Sequence, residues 1–269
     1  MYRVLKVINN NALLAYDLHA EKEVIFLATG VGFGKKINTV FDDVDGAKKF
    51  YTNEKIKEVT QNVDPVYLEI ADMILHEAEL EFNDVDRMIQ FALADHIAFA
   101  IERMENNIDI VNPFSKDISL LYKDEYKVAV KGAKIIQDKL GVEINDDEIS
   151  YITLHIHSAL GQDNVADSMQ TAMVIDDALA LLEKLCKVKL NKESSAYARF
   201  LIHLKYMFYR IKNNEVLNLD MNEYAYNTFK SSFDIANEVL KEIEEIAKII
   251  IPKVEIGYLA IHIERILSD

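Results

Sequence analysis

The spacing of apolar residues divides the chain into a strand-like start and a helical remainder. The first segment has three apolar runs rich in β-branched residues, at Val4–Ile8, Ala12–Tyr16 and Glu23–Ala28. Consecutive asparagines separate the first two runs, and a glycine-containing stretch from Gly30 to Gly34 follows the third, as is typical of turns. This pattern predicts a small antiparallel sheet. Such a sheet buries a marginal core, so we expect it to need a partner, most simply a second copy of itself.

From about residue 58 onward, apolar residues lie three and four positions apart with charged residues between them, as in amphipathic helices. The helices predicted in the first helical part are Val66–Ala78, Val85–Glu105, Glu125–Lys139 and Asp146–Leu160. Those predicted in the second part are Met169–Cys186, Ser194–Lys212, Asn222–Ile250 and Val254–Leu267. The short polar segment from Gly161 to Ser168 is predicted to join the two parts.

An internal repeat relates these two helical parts. The sequence Glu148-Ile-Ser-Tyr151-Ile-Thr-Leu-His155-Ile returns 107 residues later as Glu255-Ile-Gly-Tyr258-Leu-Ala-Ile-His262-Ile. His96 and His203 are 107 residues apart as well, and each is followed seven positions later by an arginine, Arg103 or Arg210. We therefore predict two homologous helical domains that each carry a pair of histidines.

The predicted fold is α+β and multidomain. A small antiparallel β domain that dimerises occupies residues 1–57, and two homologous all-α helical bundles occupy residues 58–165 and 166–269. The low numbers of glycine and proline, eight and three, agree with a chain that is mostly helical.

Charge is distributed unevenly between these predicted domains. The net charge of −15 argues against a protein whose whole surface binds phosphates. However, residues 1–57 carry nine Lys or Arg against seven Asp or Glu, a net charge of +2, so the remainder carries −17. The N-terminal sheet is therefore the part whose charge suits a nucleic acid.

Cys186 is the only cysteine, so the chain cannot form an internal disulfide bond. The N-terminus lacks the pattern of a signal peptide, and no apolar run approaches the ~20 residues that a membrane-spanning helix requires. These features predict a cytoplasmic protein that does not insert into a membrane.

The repeated histidines are candidates for phosphoryl transfer. A neutral imidazole is a competent nucleophile near pH 7, and a nearby guanidinium or phenol can bind phosphate oxygens. Helical spacing places each arginine on the face of its histidine, and each tyrosine beside the second histidine of its pair. A single histidine on such a face is more often a core residue, but four in a double repeat favour a function. The candidates are His96, His155, His203 and His262, supported by Arg103, Arg210, Tyr151 and Tyr258.

A metal site and an enzyme are the alternatives to this interpretation. His155 and His157 form an H-x-H pair, but on a helix the two side chains point about 200° apart. The sequence contains no H-E-x-x-H motif, cysteine pair, Walker loop or G-x-S-x-G motif. We therefore predict no metal, no cofactor and no catalytic residues.

Several motifs resemble those of the BglG/SacY-type transcriptional antiterminators, and the resemblance covers essentially the whole chain. In that family an RNA-binding co-antiterminator (CAT) domain precedes two phosphotransferase-system regulation domains (PRDs). Two motifs, Gly30-Val-Gly-Phe-Gly-Lys-Lys36 and Leu154-His-Ile-His-Ser-Ala-Leu160, look closest to the GlcT-like branch. The other matching motifs are Lys6-Val-Ile-Asn-Asn-Asn11, Asp95-His-Ile-Ala-Phe-Ala-Ile-Glu-Arg103, Leu121-Tyr-Lys-Asp-Glu-Tyr126 and Ile261-His-Ile-Glu-Arg265.

The resemblance implies that a CAT dimer binds a hairpin in nascent mRNA and prevents an overlapping terminator from forming. The operon controlled would encode a phosphotransferase system for glucose or a β-glucoside. The residues implied to face RNA are Lys6, Asn9, Asn11, Gly30 and Phe33. Where the family usually has a basic residue between two glycines, this chain has Ala28-Thr29-Gly30 and so lacks that cation.

The resemblance also implies the phosphoryl donors. His96 and His155 would receive phosphate from the sugar-specific transporter component EIIB, and His203 and His262 from the general phosphocarrier HPr. A regulator that uses the same domains on DNA or protein remains the alternative, although no helix-turn-helix precedes residue 58.

Overall fold

The computed structural model describes residues 1–28, 30–51, 63–108, 110–161, 163–215 and 217–268. It divides into two compact units, Met1–Asn112 with Asp124–Asn164 and Pro113–Lys123 with Val165–Asp269. The first unit combines a sheet with helices and the second is helical, so the predicted α+β class is confirmed. The predicted boundary between residues 57 and 58 lies outside the described residues, and the domain boundaries remain predictions.

The N-terminal segment forms an antiparallel sheet with the strand order β4-β1-β2-β3-β5 in the described residues. The three predicted strands are present as β1, β2 and β3, whereas β4 and β5 are short and lack the alternation that would have revealed them. The strands are β1 (Tyr2–Asn9), β2 (Ala12–Asp17), β3 (Lys22–Leu27), β4 (Val40–Phe41) and β5 (Lys48–Tyr51).

Ten helices lie in the described residues. They are α1 (Pro65–Glu81), α2 (Ile89–Glu105), α3 (Ser115–Leu121), α4 (Lys123–Leu140), α5 (Asp146–Ala159), α6 (Val165–Cys186), α7 (Ser195–Asn213), α8 (Asn222–Thr228), α9 (Lys230–Ala247) and α10 (Val254–Leu267). The repeat distance of 107 residues relates α3 to α8 and α4 to α9 residue by residue.

Both faces of the sheet are covered by apolar groups of the first unit. On one face, Ile8, Leu14 and Ile25 belong to the same core as α1, α2 and α5. On the other face, Leu13 and Phe26 pack with residues of the following loop and β4. The small sheet therefore obtains part of its core from the adjoining helices, whereas its pairing with a second copy remains a prediction.

The predicted helix Asn222–Ile250 is in fact two helices, α8 and α9. Phe229 lies between them with φ −130° and ψ 51°, which interrupts the helical hydrogen bonds. The aromatic side chains of Tyr226 and Phe233 pack edge to face across the break, with ring centroids 5.4 Å apart. Because no proline or glycine marks the break, the sequence pattern continues through it.

Helix α3 was not predicted, and it packs within the second unit, against α7. Its Asp117 is buried and accepts hydrogen bonds from the Tyr197 hydroxyl at 2.7 Å and from Lys192 Nζ at 2.9 Å. Lys205 Nζ also donates to the carbonyl of Leu121 at the end of α3. These partners pair the buried carboxylate and one of the helix-end carbonyl groups.

The repeat copy of α3, helix α8, packs closely on α10 because of a glycine. A Cβ atom added to Gly257 would lie 2.6 Å from the carbonyl carbon of Met221, at the start of α8. The residue that corresponds to Gly257 in the first repeat is Ser150, which already has a Cβ atom. Ser150 instead uses its hydroxyl to accept a hydrogen bond from Asn112 Nδ2 at 2.7 Å. One hydroxymethyl side chain thus distinguishes the two repeats at this point.

We expect Gly257→Ala to lower the free energy of unfolding by about 1–3 kcal/mol, because the new methyl group meets backbone atoms that have no room to move. Gly132→Ala is the matched control, since its methyl group would meet only the flexible Ile74 side chain at 3.1 Å. Both substitutions gain about 1 kcal/mol of helix propensity, which should offset the side-chain contact of Gly132→Ala but not the backbone clash of Gly257→Ala. Urea denaturation of both variants tests this, and equal stabilities would contradict the steric explanation.

Candidate functional site

The predicted residues of the first repeat form one cluster between α2 and α5. The rings of His96 and His155 lie 5.1 Å apart, centroid to centroid, and the Tyr151 ring lies 5.7 Å from that of His96. Arg103 lies two turns after His96 on α2, and its side chain extends into the same cluster. The structure therefore brings together all four residues that the sequence predicted for this site.

A buried carboxylate that the sequence interpretation overlooked lies at the centre of this cluster. Glu148 Oε2 is 3.3 Å from His96 Nε2, and Glu148 Oε1 accepts a hydrogen bond from Arg103 Nη2 at 2.7 Å. Burial alone would raise the pKa of Glu148, but the contacts with His96 and Arg103 outweigh it and hold that pKa below its ordinary value. Asn145 caps α5 by accepting from the Glu148 backbone N–H, which fixes this turn of the helix.

The second repeat reproduces the arrangement between α7 and α10. The rings of His203 and His262 are 4.6 Å apart, and Glu255 Oε2 lies 3.7 Å from His203 Nε2. Arg210 binds Glu255 through two hydrogen bonds, at 2.9 and 2.8 Å. In the first repeat Arg103 donates to Glu148 through Nη2, and Arg103 Nε has no hydrogen-bond partner among the described residues.

The two sites differ in their tyrosines. The Tyr258 ring is stacked at 6.3 Å from the His203 ring, but its hydroxyl donates to the carbonyl of Leu219 at 2.9 Å. The Tyr258 hydroxyl is therefore already engaged outside the histidine pair. Burial, followed by the Glu148 charge, raises the pKa of Tyr151 and keeps this phenol protonated near neutral pH.

The histidines of the second site are neutral at physiological pH. Burial, the electrostatic influence of the neighbouring His262 and the charge of Arg210 lower the pKa of His203 to about 3. Burial and two arginines, Arg265 and Arg199, also lower the pKa of His262. A neutral imidazole retains a lone pair on one ring nitrogen, as a phosphoryl acceptor requires.

His157 lies on α5 but does not join the histidine pair. Its Nδ1 is 2.9 Å from Glu125 Oε1, and both residues are buried. At the corresponding positions of the second repeat, Ser232 donates to Glu264 at 2.7 Å. No group of three or more His, Cys, Asp or Glu in the described part of the chain is arranged to hold a metal ion.

Two of the predicted RNA-facing residues meet at one end of the sheet. Asn11, in the turn between β1 and β2, accepts a hydrogen bond from the Gly30 N–H at 2.9 Å through its side-chain oxygen. The Asn11 side-chain nitrogen donates to Asp72 on α1 at 3.3 Å. Gly30 has φ +72°, a conformation that glycine adopts without strain. The Asn11–Gly30 hydrogen bond thus links the turn between β1 and β2 to the turn that contains Gly30.

The remaining predicted RNA-facing residues lie on the same segments. Phe33 follows Gly30 in its turn. The residue is 76% exposed to solvent, which is unusual for a large aromatic residue. Lys6 is on β1 opposite Leu14, next to an irregularity in the strand register. The side chain of Asn9, and all of Thr29, lie outside the described residues.

Comparison with known proteins identifies the domains that hold these clusters. The CAT RNA binding domain matches residues 2–58, and the PRD domain matches residues 68–159 and 176–266. Over 280 residues the chain is 30% identical to transcription antiterminator LicT of Bacillus subtilis, covering 99% of each chain. The chain belongs to the family of PRD-containing antiterminators. The BglG/SacY-type resemblance is thereby confirmed.

A second antiterminator relative of this PRD protein agrees with that assignment. It is 32% identical over 282 residues to the PtsGHI operon antiterminator of Bacillus subtilis, covering 99% of this chain and 98% of the relative. The crystal structure of GlcT CAT-PRDI matches with 36% identity and a TM-score of 0.49, over 59% of this chain and 98% of that one. In the described residues of the PRD protein, no helix has the length and apolar character needed to cross a membrane.

The neutral His203 of the second PRD predicts a pH-dependent stability. Its pKa is about 3 in the folded chain and near 6.5 in the unfolded one. The unfolded chain therefore binds the proton first, so this contribution to stability is complete above pH 6.5 and is lost as the pH falls toward 3. His203→Gln should reduce the fall in unfolding free energy between pH 6.5 and 4 by up to about 1.4 kcal/mol per pH unit.

Urea denaturation at a series of pH values measures this slope. His76→Gln is the control, because the side chain of His76 is 64% exposed, and it should keep the wild-type slope. If wild type and His203→Gln lost stability at the same rate, the buried neutral histidine would not be the cause.

Proposed function

We propose that this chain is an RNA-binding transcriptional antiterminator whose activity is set by histidine phosphorylation. It binds a hairpin in nascent mRNA as a homodimer in the cytoplasm and prevents terminator formation in a sugar phosphotransferase operon of the glucose or β-glucoside type. It acts as a regulator and not as an enzyme. The observation that carries this proposal is the repeated cluster of two histidines, a glutamate and an arginine, one cluster in each PRD.

The N-terminal geometry supports the RNA-binding part of the proposal. The Asn11–Gly30 hydrogen bond holds two turns together beside the exposed Phe33 ring. An exposed ring offers a stacking surface for an unpaired base, and asparagine offers both a donor and an acceptor to base edges. Lysines 6, 35 and 36 supply positive charge in the same domain for phosphate contacts.

Electrostatics supports the regulatory part. A phosphoryl group adds about two negative charges to a neutral imidazole. In a two-fold dimer, a site near the axis faces its own copy, so each modification becomes a pair of like charges. We expect EIIB to phosphorylate His96 and His155 in the absence of sugar and thereby separate the PRD dimer, and HPr to serve His203 and His262.

Phe33→Ala should weaken RNA binding about tenfold, because stacking of a base on an aromatic ring contributes about 1–3 kcal/mol. The measurement is a gel shift of the full chain with hairpin RNA from upstream of the neighbouring transporter gene. Ile250→Ala removes an apolar side chain that is 87% exposed in the second unit, and it should bind like wild type. Binding of double-stranded DNA in place of RNA would favour the alternative of a DNA-acting PRD regulator.

The double variant His96→Ala/His155→Ala should give antitermination without sugar, because the inactivating phosphate has no acceptor. A transcriptional reporter placed behind the hairpin and terminator measures this. Full repression of the double variant in the absence of sugar would contradict control through the first PRD.

Reporter output from His203→Ala, with HPr present and absent, shows whether phosphorylation of the second PRD activates or inhibits antitermination.

A further inference from the structure

We infer that Glu148 and Glu255 are positioning residues that direct the phosphoryl group to the Nδ1 atoms of His96 and His203. This inference rests on the proposed phosphorylation of these histidines. It extends that proposal by naming the acceptor atom and the side chain that selects it.

Both repeats place a carboxylate oxygen against the same ring nitrogen. The Oε2–Nε2 distance is 3.3 Å between Glu148 and His96 and 3.7 Å between Glu255 and His203. Both Nε2 atoms are buried, and each carboxylate side chain is only 3% exposed. A phosphoryl group has no access to Nε2 while the carboxylate stays there. Any phosphoryl donor must therefore approach the imidazole from its Nδ1 side.

The arginines keep the two carboxylates in place. Arg103 donates one hydrogen bond to Glu148, and Arg210 donates two to Glu255, in each case from seven residues beyond the histidine. A buried carboxylate so paired cannot leave without stranding the guanidinium. The carboxylate is thus a fixed feature of the unphosphorylated site.

A fixed carboxylate also selects the tautomer of the imidazole. A neutral imidazole carries one proton and one lone pair, and the partner of one nitrogen determines which nitrogen holds the proton. A carboxylate facing Nε2 stabilises the proton there, so the lone pair lies on Nδ1. The 3.3 Å contact is poorly aligned for a hydrogen bond in this resting state, as such contacts often are before the reaction.

The chemical step follows from this tautomer. The Nδ1 lone pair forms the new N–P bond while the bond between phosphorus and the donor side chain breaks, and that electron pair leaves with the donor. The ring keeps its Nε2 proton and becomes positively charged. Glu148 or Glu255 stabilises that charge, as a buried carboxylate does for the imidazolium of a catalytic triad.

The first test observes the tautomers directly, without phosphorylation. Long-range ¹H–¹⁵N NMR of the full chain with ¹⁵N-labelled histidine should show the Nε2–H tautomer at His96 and His203 at pH 8. Glu148→Gln should shift only His96 away from this tautomer, and Glu255→Gln only His203, so each variant controls for the other. A wild-type chain with the proton on Nδ1 would overturn the inference, even if a variant failed to fold.

The second test determines the phosphorylated atom. The full chain is phosphorylated with phosphoenolpyruvate, enzyme I, HPr and EIIB, and the linkage at each histidine is assigned by ³¹P and ¹⁵N NMR. We expect Nδ1 linkage at His96 and His203, and a rate at His96 that falls roughly tenfold or more in Glu148→Gln while His203 is unaffected.

The outcomes separate the two proposals. Linkage through Nε2 at His96 or His203 would overturn this inference and leave phosphorylation control intact. No phosphate on any of the four histidines would overturn the proposed function, and this inference with it. Circular dichroism melts of the variants show whether a lost rate reflects a lost fold.

Discussion

A carboxylate removed from water must be paired, and this requirement organises both histidine clusters. Glu148 and Glu255 each lie in the first turn of a helix, and the helix dipole adds to the favourable field there. Each needs a guanidinium, which comes from the second helix of the same PRD. The histidine on that helix is thereby held at a defined distance and orientation.

The two PRDs meet this requirement in different ways. Arg210 binds its carboxylate through two hydrogen bonds and Arg103 through one, so the second pair is the more tightly fixed. A second polar pair also differs between the two PRDs. The buried His157 and Glu125 of the first PRD correspond to Glu264, which is partly exposed, and the buried Ser232 of the second. In each half the two polar groups of this pair contact each other, so replacing only one of them would leave the other without its partner.

The sequence allowed the histidines to be placed because they recur at a fixed distance, and the structure joins each pair as expected. The same repeat contains Glu148 and Glu255. A single amino-acid sequence, however, does not distinguish a buried carboxylate from the solvent-exposed acidic residues beside it. Strands β1 to β3 and most helices followed from periodicity. The break at Phe229 and the packing of α3 did not, because both depend on contacts between residues far apart in the chain.

The CAT sheet and the first PRD share one apolar core, so truncation between them would expose part of it. Leu14, Ile25 and Leu27 of the sheet are covered by groups from the helices that follow. A fragment that stopped short of α1 would present those side chains to water. The fragment could then self-associate through this newly exposed apolar surface. Its behaviour in solution would differ from that of the same residues within the whole chain.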